Sequence, residues 1–114
     1  MKYDSRLLFE SNKTYINKVE WIDVDNNGSE WKYLGIDENI DETDIKFIIN
    51  EIFKTDNFNL IISRTESFNI DKNELITMVL KIFRITDFTI WDSDFNKIVE
   101  FNKIGIYRIG VKIS

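Results

Sequence analysis

The seven residues Asp23-Val24-Asp25-Asn26-Asn27-Gly28-Ser29 carry the pattern in this chain that most suggests chemistry. Side-chain oxygens at the first, third and fifth places with glycine at the sixth open a calcium-binding EF-hand loop. The match ends there. The twelfth place, where a bidentate glutamate must complete the coordination shell, is Leu34, and the eighth, ordinarily apolar, is Glu30. Asn27-Gly28 supplies the positive φ angles that a tight hairpin turn needs. The stretch therefore reads as a turn, and no calcium is expected to bind it.

Other spacings fail in similar ways. Asp23-Val24-Asp25 and Asp92-Ser93-Asp94 have the spacing by which some glycosyltransferases hold a metal and a nucleotide sugar, but a nucleotide-binding α/β domain does not fit in 114 residues. Aspartate at a turn needs no further account, because its carboxylate accepts hydrogen bonds from nearby backbone N–H groups. Gly105 and Gly110 are spaced as in a P-loop, yet Val111 stands where the lysine should be and no helix can follow. Those glycines read as a bend or bulge in a last strand. The chain has no histidine and no cysteine, which removes the side chain most used for acid–base work near neutral pH, the commonest metal ligand, thiolate chemistry and disulfides. Pairs among twenty acidic residues carry no information by themselves. No catalytic residue, cofactor or metal site is expected.

The elements that would position any site follow from periodicity. Residues 19–24 nearly alternate polar and apolar, and residues 31–34 follow the Asn27-Gly28 turn, which predicts a hairpin with a tryptophan on each arm. Upstream, residues 6–10 and 14–16 read as strand pieces, although Leu7-Leu8-Phe9 fits one turn of helix equally well. Residues 41–54 place Ile45, Ile48, Ile49, Ile52 and Phe53 on one helical stripe. Residues 58–63 read as a strand buried on both faces. A second helix begins after Ile70, with Asp71 as N-cap, Glu74 three places on, and Ile70 and Leu75 as a hydrophobic staple. Its core is expected to comprise Leu75, Val79 and Ile82. Strands at 88–91, 97–101 and 104–111 complete the chain as an antiparallel meander. The expected fold is a single α+β domain over residues 1–114, with a mixed or mainly antiparallel sheet and two helices packed on it. Its order is strands, helix, strand, helix and a three-strand meander, and the unit from Phe58 to Trp91 reads as a parallel crossover.

Charge is distributed unevenly along this chain. The net charge is −5, but Glu20, Asp23, Asp25, Glu30, Asp37, Glu38, Asp41, Glu42 and Asp44 face a single base, Lys32, within residues 20–44. That segment carries −8 and the remainder +3. Direct binding of nucleic acid or anionic lipid requires a basic footprint, so neither is expected; a basic protein is the natural complement. Tryptophan is enriched at interface hot spots, and Trp31 stands inside the acidic segment. The candidate partner-binding residues are Asp23, Asp25, Glu30, Trp31, Asp37, Glu38, Asp41 and Glu42. Arg64, Arg84 and Arg108 read as partners for surface carboxylates.

In size, acidity and element order, and in the stretch WDSDFNKIVEF from Trp91 to Phe101, the chain resembles bacterial immunity proteins of toxin and contact-dependent growth inhibition systems. The resemblance implies a protein that acts by one-to-one binding of a cognate, often basic, toxin domain with its carboxylates facing the toxin's cationic site; a cytoplasmic, non-catalytic monomer or weak homodimer is expected. Two other classes compete: a regulatory adaptor or DNA mimic, which shares the acidity, and a small carboxylate-based enzyme. No apolar run approaches the length of a membrane helix, and none follows Lys2 as a signal peptide would require.

Overall fold

The strands of the C-terminal half build the centre of the molecule. The computed structural model describes residues 5–22, 30–34 and 42–113. β5 (Phe88–Asp92), β6 (Lys97–Asn102) and β7 (Ile106–Lys112) form the expected antiparallel meander. Its turns are fixed by short aspartate and asparagine bonds: Asp92 Oδ1 accepts from the Asn96 and Lys97 N–H groups, and Asp87 Oδ1 accepts from the Lys103 N–H. This is the turn chemistry read for Asp92-Ser93-Asp94. Gly105 has a φ of 106°, a conformation costly for any residue with a Cβ, and it turns the chain into β7.

The remaining elements are α1 (Ser5–Ile16), β1 (Val19–Trp21), β2 (Lys32–Tyr33), α2 (Glu42–Ile52), β3 (Asn57–Ile61), β4 (Ser67–Asp71) and α3 (Lys72–Ile82). The fold is α+β, with seven strands and three helices among the described residues and antiparallel pairing throughout. The strands lie in the order β1-β7-β6-β5-β3-β4, and β2 also pairs with β7.

Several expectations are corrected. Residues 5–16 form one helix rather than strand pieces, so there are three helices, not two. Residues 67–71, which carried no assignment, form β4, in which Phe68 and Ile70 alternate with polar residues. The extra strand reverses the chain, so β3 and β5 pair antiparallel and are not joined by a parallel crossover. The hairpin over residues 19–34 does not form either. β1 and β2 pair with β7 and not with each other, and both run in the same direction along its edge. Lys32 stands opposite Tyr107, a place that an uninterrupted β1 would have given to residue 24. The expected turn itself, residues 23–29, lies outside the described residues.

Register divides the side chains between two faces. Phe58, Leu60, Ile70, Phe88, Ile90, Val99 and Phe101 share one face and form the larger core with Ile45, Ile48 and Ile49 of α2 and Leu75, Ile76 and Val79 of α3. α3 starts as expected: Asp71 is its N-cap and accepts from the Glu74 N–H at 2.9 Å. Of its expected core residues, Leu75 and Val79 are fully buried, while Ile82 is half-buried at the rim. β3 is buried on both faces from Phe58 to Ile61.

On the opposite face, Ile61, Trp91 and Ile98 pack against Leu8 of α1, with Tyr15 and Phe95 beside them. Trp91 is fully enclosed, and its indole N–H donates to Asn12 Oδ1 at 2.8 Å. Ser5 fastens the start of α1: its hydroxyl accepts from the Ser67 N–H and donates to the Arg64 carbonyl. At twelve residues α1 is about 18 Å long and lies over β3 and β4, so it cannot cover the whole face. The uncovered part is where polar side chains collect.

Candidate functional site

Arg108 lies in the middle of β7, directly across from Glu100 of β6. Cross-strand neighbours of opposite charge attract, and here Arg108 Nε donates to Glu100 Oε1 at 2.7 Å. Both side chains are about one-fifth exposed, so water screens the pair less than it would a surface pair. On its other side, Arg108 meets the interruption between β1 and β2. Trp21 ends β1 and Trp31 precedes β2, and the guanidinium lies between their rings, 3.6 Å from the centre of the first and 4.6 Å from that of the second. Glu30 closes the set, with its carboxylate 3.5 Å from Arg108 Nη1.

Gly110 makes this arrangement possible. It pairs with Trp21 across the β1–β7 ladder, and a Cβ there would collide with Val19 and press on Trp21 and Ile98. The register with β6 runs unbroken through Gly110, so this glycine marks a close approach and not the expected bulge.

Beside the Arg108 cluster a cleft of about 290 Å3 opens on the sheet face that α1 leaves bare. Thr89 and Glu100, which are cross-strand partners, lie in its lining with Asp87, Asn102 and Asn12, and Phe9 and Trp31 contribute aromatic surface. Trp31 thus belongs both to the acidic segment and to the cleft.

Of the eight candidate partner-binding residues, the structure brings Glu30 and Trp31 together at Arg108. Glu42 stands apart, in the first turn of α2, where it pairs with Lys46 at 2.8 Å on the exposed face. Asp23, Asp25, Asp37, Glu38 and Asp41 lie outside the described residues. Two described residues that precede them are bonded to the sheet. The Ile22 N–H donates to the Ile109 carbonyl before residues 23–29, and the Leu34 N–H donates to the Gly105 carbonyl before residues 35–41. Of the three arginines read as carboxylate partners, Arg108 pairs with Glu100 and Glu30. Sequence reasoning missed Asp87, Thr89, Glu100 and Asn102, whose convergence depends on the β5–β6 register.

Among the described residues no three acidic side chains come together as a metal site would require, and no helix is long and apolar enough to cross a membrane. Searches against protein families, curated proteins and solved structures find no match for this chain.

Proposed function

We propose that this chain is a non-catalytic inhibitor that binds a cognate basic protein toxin domain, as immunity proteins do, and that it meets that partner with the acidic segment and Trp31. One observation supports the reading above the others. Ile22, Trp31 and Leu34, which flank the acidic stretches, are all held on one sheet edge, at Ile109, Arg108 and Gly105 of or beside β7. Residues 20–44 carry a net charge of −8, and a run of like charge sets up a negative potential around it. Such a field steers a cationic partner and raises its association rate. Trp31, half-buried against Arg108, offers a rigid aromatic surface next to that field.

The test is co-expression with the protein encoded immediately upstream, followed by stopped-flow association of the purified pair at increasing salt. A one-to-one complex that forms several-fold more slowly at high salt fits the proposal. No complex, or one whose association ignores salt, overturns it. Capture of a nucleic-acid-binding protein would instead favour the DNA-mimic class.

A further inference from the structure

We infer that the cleft between α1 and the β5–β6 strands is a subsite for a guanidinium group, occupied by an arginine side chain of the bound partner. The inference rests on the reading of the partner as a basic protein and names what one of its side chains would do.

Thr89 points to an occupant. It is only 7% exposed and lines the cleft, yet its hydroxyl makes no hydrogen bond among the described residues. No enclosed side-chain polar atom of those residues lacks a partner, so this hydroxyl is not sealed off and stays open to a partner in the cleft that Thr89 lines. Glycine, alanine or valine would fill the same place in a strand with no polar atom to satisfy.

The other groups define what would sit there. Asp87 spends one oxygen on the Lys103 N–H and forms no ion pair with any described lysine or arginine. Glu100 spends Oε1 on Arg108. A carboxylate has about four acceptor positions, so each retains capacity for further donors. Between these acceptors and the aromatic walls of Phe9 and Trp31, rings that also lie against the Lys13 ammonium and the Arg108 guanidinium, a flat donor-rich cation fits: acceptors bind its N–H groups and ring faces bind its plane. Arg108 already demonstrates this recognition on two residues of the lining, stacked on Trp31 and bonded to Glu100. At about 290 Å3 the cleft is at the small end for ligand pockets, which suits one side chain better than a nucleotide or cofactor.

The experiment titrates the full chain with Nα-acetyl-arginine amide while amide, methyl and indole resonances are followed by NMR, with the citrulline analogue as the uncharged isostere. Saturable shifts confined to Asp87, Thr89, Glu100 and Trp31, with citrulline about ten-fold or more weaker, are expected. Asp87→Asn and Thr89→Val should each weaken the arginine probe several-fold while other resonances stay in place. Absence of saturable shifts, equal binding of citrulline, or indifference to both substitutions would overturn the inference, as would stronger shifts with a neutral sugar. The two readings fail separately. A chain that binds the probe but captures no basic protein keeps the subsite and loses the partner, whereas one that binds a basic partner with unchanged affinity in both cleft variants does the reverse.

Discussion

The guanidinium of Arg108 lies 3.6 Å from the centre of the Trp21 ring, on a strand that Trp21 reaches only because Gly110 has no side chain. Together with Trp31 and Glu100 this contact holds both ends of the interrupted edge strand against β7. The cluster is the structural root of the acidic segment.

Replacing Arg108 tests that role. Arg108→Lys keeps the charge but loses the planar stack and the forked donor, and Arg108→Met also leaves Glu100 partly buried without its partner. Losses of about 1–3 kcal/mol are expected in urea unfolding, larger for methionine. Tryptophan emission should move to the red as Trp21 and Trp31 lose contact. A change below about 0.5 kcal/mol with unaltered emission would show that the edge is held by its backbone bonds alone.

Gly110→Ala should act more locally. The new methyl group meets Val19 and Trp21, so β1 must shift, at a cost of about 1–3 kcal/mol typical of overpacking. Hydrogen exchange at Ile22 and Ile113, whose N–H groups bond across this ladder, should accelerate while β5 and β6 amides keep their protection. Uniform acceleration across the sheet would mean that β1 is not a separable unit.

Depth decides the outcome on α3. Leu75→Ala removes a fully buried side chain and should cost about 2–5 kcal/mol, with the urea midpoint falling at constant slope. Ile82 is half-buried at the rim, so Ile82→Ala should cost no more than about 2 kcal/mol. Equal losses at the two positions would place Ile82 deeper than it stands.

Where local signals were redundant, the fold was legible in advance. Asp71 and Glu74 marked the start of α3 by cap chemistry, the isoleucine stripe marked α2, and polar turns set off β5, β6 and β7. α1 was missed for a specific reason. The face it turns to the sheet runs through buried Leu8 and half-buried Asn12, Tyr15 and Ile16, and the polar member at the centre hides the period, because Asn12 is there to accept from Trp91. β4 alternates cleanly, but Ile70 and Asp71 had a sufficient explanation as staple and cap of the next helix. The site was legible only as charge and one tryptophan. Arg108, Glu100 and Thr89 are distant in sequence or sit at ordinary strand positions, and only the pairing of β5, β6 and β7 brings them together.

The acidic segment separates a binding surface from a merely solubilising one. Glu30 should be spared in any charge reversal, because a lysine beside Arg108 would disturb the cluster that anchors the segment. Glu42 should be spared too, since it pairs with Lys46 and lies at a helix N-terminus that favours negative charge. The informative variant changes Asp23, Asp25, Asp37 and Glu38 together to lysine, which brings the segment from −8 to neutral. Association with the partner should then slow by about ten-fold or more at low salt, and the difference from the unaltered chain should shrink as salt rises, because charges beyond about 8–10 Å are screened at physiological ionic strength. Circular dichroism and the urea midpoint establish that the variant is folded. A folded variant that associates as fast as the unaltered chain would take the segment out of the interface, and would leave the cleft at Thr89 as the surface through which a partner is held.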